Sequence, residues 1–157
     1  MTLQQLTRKA LSVTSAFEGG GFGTVTGNFD GQGLSCGALQ WAFGQGTQQK
    51  LVKEVEEVKP GIVVSLMPNC GKDYLLLCSM KTEEAMLSIQ KWSQGGKLIE
   101  PYKSELMRLW SSVEMVEIQV ESAMGIGNKA YQLCSTWNNS EPTAKEFCFY
   151  RDWETRC

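Results

Sequence analysis

Histidine is missing altogether from this chain of 157 residues. Its absence excludes Ser-His-Asp and Cys-His nucleophile systems and every His-ligated zinc or iron site, so acid-base chemistry falls to Asp, Glu, Lys, Tyr or Cys. Long apolar runs are also lacking: Ile62 to Met67 and Leu75 to Cys78 fall far short of the ~20 residues that cross a bilayer. There is no basic run to track a phosphate backbone, with 15 Lys plus Arg against 17 Asp plus Glu and a formal charge of -2. Neither nucleic acid nor a membrane is an expected partner. The opening MTLQQLTRKALSVTS places Arg8 and Lys9 inside an amphipathic pattern, without the continuous apolar centre of a signal peptide, so synthesis in the cytoplasm is expected. No two cysteines are spaced C-x-x-C. With histidine absent, the six (Cys36, Cys70, Cys78, Cys134, Cys148 and Cys157) read as structural thiols or one to three disulfides, and neither metal nor cofactor is expected.

What is present is a globular composition, 42% hydrophobic and 20% charged, enough for one core and one domain spanning residues 1–157. The aromatic, still-helical final stretch TAKEFCFYRDWETRC implies a module cut from a longer polypeptide. Leu3, Leu6, Ala10, Val13 and Phe17 recur at helical spacing and predict a helix over about 2–17, ended by Glu18. Eight of the sixteen glycines then fall between Gly19 and Gly37, around the β-prone FGTVTGNF, which reads as a small hairpin or irregular sheet. Leu34 to Phe43 should turn inward as a short helix or buried extended segment. A second helix is expected over about 47–58, closed by Pro60-Gly61. After a short apolar turn comes a third helix, N-capped by Thr82 and stopped by Gly95-Gly96. Pro101 opens a fourth. The run from Ser112 to about Trp137 is helical but divided at Gly125 and Gly127, and Ser140-Glu141-Pro142 starts another helix. The fold class is therefore α+β and mainly α, a helical bundle with a small β element near residues 25–38.

Candidate chemistry concentrates at Phe17-Glu18-Gly19-Gly20-Gly21-Phe22-Gly23 and Gly27-Asn28-Phe29-Asp30-Gly31-Gln32-Gly33-Leu34-Ser35. A carboxyl at a helix C-terminus among aromatics is repelled by the helix dipole and partly desolvated, and both effects raise its pKa, so Glu18 can hold a proton. Asp30, in a polar glycine-rich turn, would stay ionised. Two carboxyls in unlike surroundings make an acid and a base, which is what glycoside cleavage requires. Ser35 adds a hydroxyl to orient water. The same carboxylates also suit mere solvation of a turn and a helix end. A P-loop is excluded because no G-K-[ST] follows, and a calcium loop because the twelfth position from Thr26 is Gly37 rather than glutamate.

The order Phe17-Glu18, glycine-rich β segment, Gly31-Gln32-Gly33-Leu34-Ser35 and Gly37-Ala38-Leu39-Gln40-Trp41, over about residues 8–47, resembles the lysozyme-like superfamily. The likeness is to its chitosanase-like glycoside hydrolases and related phage or secreted bacterial peptidoglycan hydrolases. It implies a lysozyme-like fold with Glu18 as general acid, Asp30 as base and Ser35 positioning water. The substrate implied is the glycan strand of peptidoglycan rather than chitosan, because residues suited to a cationic sugar are not evident near the site. Gln40 and Trp41 are expected sugar contacts, an amide for hydroxyl or acetamido groups and an indole for a pyranose face, with Phe22 and Asn28 beside them. A tryptophan in LSCGALQWAF suits a core equally well, as does Phe43. Trp92, Trp110 and Trp137 read as core, while Tyr150, Arg151, Asp152 and Trp153 suit either a cleft wall or a solvated face.

A carboxyl separation of about 6.5–9.5 Å gives inversion and one near ~5 Å retention, and inversion is expected. Lytic transglycosylation by Glu18 alone, and a non-catalytic wall-binding or toxin-interaction module, are the alternatives. A wall hydrolase without a signal peptide implies a phage lysis protein or a delivered antibacterial effector acting in the periplasm or cell wall, the latter with an immunity protein as partner.

Overall fold

A computed structural model describes residues 1–17, 21–138 and 141–148. The described chain is mainly helical with two small antiparallel sheets, an α+β architecture as the composition and periodicity imply. Helix α1 (Leu3–Phe17) opens with a reciprocal cap: the Gln5 N–H donates to Thr2 Oγ1 at 3.2 Å and the Thr2 N–H to Gln5 Oε1 at 2.9 Å. Its buried residues include Leu6, Thr7, Ala10, Leu11 and Ser15, whereas Val13 is exposed. The expected stripe is thus rotated, and the cause lies in α8 (Met124–Asn138), where Gly127 leaves no room for a Cβ beside the Thr7 hydroxyl. That close approach draws the Thr7–Leu11 edge inward and turns Val13 out.

The glycine-rich stretch folds as a three-stranded sheet of β1 (Val25–Thr26), β2 (Ser35–Cys36) and β3 (Trp41–Ala42), antiparallel throughout. Leu34 to Phe43 is therefore extended, turning between β2 and β3. Register places Val25, Cys36 and Trp41 in one row and Thr26, Ser35 and Ala42 in the other. The first row faces the main core, where Trp41 stacks on Trp110 with ring centroids 6.2 Å apart.

Helix α2 (Thr47–Val58) has its predicted bounds and buries Leu51, Val52 and Val55. Beyond it, the expected short apolar turn is replaced by two helices, α3 (Ile62–Leu66) and α4 (Gly71–Ser79). Gly71 permits their tight junction, since a Cβ there would meet the Val63 carbonyl oxygen at 2.8 Å and Val64 Cα at 2.9 Å. Helix α5 (Thr82–Ile89) has Lys81, not Thr82, at its N-cap. Gly95-Gly96 does not stop this helix, which ends at Ile89 and is followed by a 3-10 turn (Gln90–Trp92); with φ of 56° and 77° the pair instead turns a hairpin between β4 (Ser93–Gln94) and β5 (Lys97–Leu98). Helix α6 (Tyr102–Trp110) follows Pro101, and α7 (Val113–Ser122) is capped by Ser112 Oγ, which accepts the Met115 N–H at 3.3 Å. The division before α8 (Met124–Asn138) falls at Ala123, so Gly125 and Gly127 lie inside a helix rather than between two. Residues 144–148 are again helical. Their start is a Thr143/Glu146 capping box, one turn later than Ser140-Glu141-Pro142 predicts.

The main core surrounds Trp110, Tyr74, Phe43 and Met67. A second cluster joins α1 to α8 through Leu6, Ala10, Ala130 and Phe147. The third matters most for the site: Leu11, Ala38, Val120 and Ala123 lock α1 and the sheet onto the same part of α7. Trp92 and Trp110 are buried as expected, but Trp137 is 76% exposed, on an outward face of α8. Cys36, Cys70, Cys78 and Cys134 are free thiols, and Cys157 lies outside the described residues. Burial pushes the Cys78 thiol up to about 12, and burial with the neighbouring Glu105 does the same for Cys70, so neither is a ready thiolate.

Glu105, 2% exposed, holds the start of α4. Its carboxylate accepts the Asn69 and Cys70 N–H groups at 3.2 and 3.1 Å, together with the Asn69 amide and the Cys70 thiol. Burial opposes its charge, but these donors outweigh burial and keep its pKa below the ordinary glutamate value. A depressed folded-state pKa contributes stability that is fully present above about 4.3 and is lost as pH falls from there through the folded value. Glu105→Gln is expected to lower the urea midpoint at pH 7 and to lose its difference from the unaltered protein under acid. Parallel, pH-independent midpoint curves for the two proteins would contradict this role.

Candidate functional site

Residues 27–34 connect β1 to β2 as a loop that braces itself. The Asn28 side-chain oxygen accepts the Gly33 N–H at 3.0 Å, and Asp30 Oδ1 accepts the Gln32 N–H at 3.0 Å, the Asx arrangement that a short acid side chain favours. Gly31 and Gly33 supply the positive φ values of 82° and 84° that the turn requires. One carboxylate oxygen of Asp30 is thus committed to the loop, while the residue as a whole stays exposed. Phe29 beside it is 71% exposed.

The loop is also fixed from outside. The Asn28 N–H donates to Ser93 Oγ at 3.0 Å, tying it to β4. A Cβ on Gly27 would lie 2.7 Å from the Gly96 carbonyl oxygen and 2.8 Å from the Leu98 nitrogen, so backbone meets backbone where the loop crosses the β4–β5 hairpin. Between them opens a cleft of about 410 Å³, lined in part by Val25, Thr26, Phe29 and Leu98.

On the sheet, Ser35 is 8% exposed and shares its row with Thr26. Thr26 Oγ1 lies 3.2 Å from the Ser35 carbonyl oxygen and 3.0 Å from Gln40 Oε1, and can donate to either. Gln40 has φ of 52°, a left-handed conformation costing about 1–2 kcal/mol for a residue with a side chain. Its amide offsets part of that cost by donating to the Gly37 carbonyl at 2.9 Å. Asn28 and Asp30 thus lie on the β1–β2 loop, Ser35 on β2 and Gln40 in the β2–β3 turn, and it is Thr26 that links Ser35 to Gln40.

Phe22 and Trp41 are placed differently. Phe22, in a single 3-10 turn (Gly21–Gly23), packs partly buried against the Leu11–Ala38–Val120 cluster. Trp41 is half-buried and stacks on Trp110. Phe43 is fully buried. Glu18 lies outside the described residues, as do Tyr150, Arg151, Asp152 and Trp153; α1 runs to Phe17, the residue before Glu18 in the chain.

Two buried glutamines position the whole segment. Gln119 on α7, fully buried, accepts the Ala38 N–H at 3.0 Å and donates to the carbonyls of Trp110 at 2.9 Å and Phe22 at 3.3 Å. Gln48 on α2, also fully buried, donates to the carbonyls of Leu34 at 3.0 Å and Trp41 at 2.7 Å and accepts the Tyr74 hydroxyl at 2.8 Å. Both amides bond backbone groups of the sheet's turns and of the segments packed against it, Gln48 adding a second donor to the Leu34 carbonyl that already accepts the Phe43 N–H at 2.8 Å. The sequence carried a trace of each: Gln48 stands three and four residues before Leu51 and Val52, and Gln119 stands four after Met115, so both occupy apolar-face positions.

Chemically, the arrangement offers an exposed carboxylate on a pre-shaped loop, a buried serine at the start of the following strand, and a cleft to which the same loop contributes Gly27 and Phe29 but not Asp30. Such a group can take a proton or stabilise positive charge without backbone rearrangement. Among the described residues no three His, Cys, Asp or Glu side chains gather as metal ligands. No known protein family, curated protein or solved structure matches the chain.

Proposed function

We infer that this chain is a lysozyme-like catalytic domain that hydrolyses β-1,4 linkages in the peptidoglycan glycan strand. The observation that supports it most is the doubly braced loop of residues 27–34, which keeps Asp30 exposed while its own turn and Ser93 hold the backbone. The motif order around Glu18, Asp30 and Ser35 supplies the reaction class.

In this reading Glu18 protonates the departing glycosidic oxygen as the C–O bond breaks. Water, oriented by Asp30 and the Ser35 hydroxyl, adds to the oxocarbenium-like carbon from the opposite face and gives its proton to Asp30, inverting the anomeric centre. The Leu11–Ala38–Val120–Ala123 cluster is what would keep the two walls in register, since it joins α1 to the sheet through α7. No cofactor is required.

The test is digestion of purified peptidoglycan sacculi with mass analysis of the released fragments, with chitosan in parallel. Hydrolysis yields new reducing ends, and transglycosylation yields anhydro ends. Fragments bearing reducing ends from peptidoglycan, with chitosan intact, are the expected products. Absence of release from either polymer contradicts the proposal.

A further inference from the structure

The cleft between the Asp30 loop and the β4–β5 hairpin has a composition of its own. Val25 and Leu98 contribute apolar surface, Phe29 stands exposed at its edge, and Lys97 and Lys103 complete the lining without any acidic residue. Lys97 comes from β5 and Lys103 from the first turn of α6. Lys50, Lys53 and Lys59 each sit within 4 Å of a glutamate, but neither cleft lysine forms an ion pair with a described residue. The acid nearest Lys103 along the chain, Glu105, is buried against Asn69 and Cys70, while Glu100 accepts the Ser104 N–H at 3.2 Å, which together with the charge of Lys103 beyond ion-pair distance lowers its pKa. Two solvated ammonium groups over an apolar floor, in a chain of net charge -2, are a local reversal of sign.

We propose that this cleft is a subsite for a glycan strand bearing carboxylates, with Phe29 against a sugar face and Lys97 and Lys103 paired to the acidic substituents. The adjoining chemistry rests on the hydrolase reading, whereas the binding stands on the cleft alone. An aromatic ring offers a flat apolar surface to a pyranose, and lysine is a mobile point charge that follows a substituent on a flexible arm. The fit excludes a polycationic glycan and leaves a neutral one without a partner for either charge. The acid groups have two sources in peptidoglycan, the lactyl carboxylate on the sugar and the carboxylates of the attached peptide.

Calorimetric titration separates these sources using three soluble strands: peptide-free with lactyl carboxylates, the same strand carboxyl-reduced, and peptide-bearing. Glu18→Gln serves as the parent, so that no strand is cut during the measurement. Adding Lys97→Gln and Lys103→Gln is expected to weaken binding of the peptide-free acidic strand about tenfold at low salt, with no change for the reduced strand. Phe29→Ala should weaken all three alike. Lysine dependence confined to the peptide-bearing strand assigns the contact to peptide carboxylates. Equal binding of all three strands by the parent, an affinity for every strand unaltered in the double lysine variant, or no binding of any strand overturns the proposal. The hydrolase reading fails separately: lysine-dependent binding by a protein whose Glu18-intact form releases no reducing ends removes hydrolysis and leaves the subsite.

Discussion

Asp30→Asn is expected to slow release of reducing ends from peptidoglycan by about 10²–10⁴-fold, the range that a positioned general base contributes. The substitution is chosen for what it preserves. The asparagine side-chain oxygen can still accept the Gln32 N–H that Asp30 Oδ1 accepts at 3.0 Å, so the loop keeps its turn and loses only the negative charge and the basic oxygen. Thermal midpoint and glycan affinity should therefore stay near those of the unaltered protein while turnover falls. Asp30→Ala removes the brace as well and should add a loss of affinity to the loss of rate. If Asp30→Asn turns over at the unaltered rate and the fragments carry anhydro ends, a single glutamate is performing transglycosylation and Asp30 is only a turn residue.

The second large effect is on stability. Gln119→Leu keeps roughly the volume of the side chain but strips the Ala38 N–H of its acceptor and the Phe22 and Trp110 carbonyls of a donor, deep beside the Leu11–Ala38–Val120 cluster. Each buried group left unsatisfied costs about 1–3 kcal/mol, and with partial relaxation a total of about 3–5 kcal/mol is expected. For a chain of this size that corresponds to a melting temperature lower by about 10 °C. Activity measured below the new melting point should fall further than the folded fraction does, because Gln119 ties residues 22 and 38 to α7 and so sets the sheet against α1. Gln48→Leu, which removes a donor from the Trp41 carbonyl, one of two donors from the Leu34 carbonyl and the acceptor of the Tyr74 hydroxyl, serves as the comparison from α2. An unshifted melting temperature in Gln119→Leu would mean that the segment is held by packing alone.

Periodicity reveals the long elements because many turns repeat the same message. Leu51, Val52 and Val55 specify α2 to its observed ends, and the β-branched FGTVTGNF stretch marks where the three-stranded sheet forms. Short elements carry too few repeats. Helix α3 has five residues, barely more than one turn, so Ile62 to Leu66 looks the same as an apolar connector. The β4–β5 hairpin was legible in principle, since Gly-Gly between polar and apolar residues is a turn sequence, but each strand is only two residues long. Val13 and Trp137 point outward for a different reason: an apolar stripe states that a face is buried but not how far a neighbouring helix rotates it.

The candidate site divides along the same line. Asp30 and Asn28 follow from residue type in a glycine-rich loop. Gln48, Gln119, Lys97 and Lys103 do not, because their significance comes from segments far off in sequence: Gln119 reaches back to Ala38, and the hairpin that carries Lys97 meets the Asp30 loop through Gly27 and the Asn28–Ser93 hydrogen bond.

The central claim is that one protonated carboxyl and one ionised carboxylate act on a glycan strand, and Glu18→Gln assayed beside the unaltered protein on purified peptidoglycan tests it most directly. The expected result is rapid appearance of reducing ends with Glu18 and none above background with Gln, while both proteins co-sediment equally with the insoluble polymer. Equal turnover by the two proteins, or binding without turnover by the unaltered one, would contradict it.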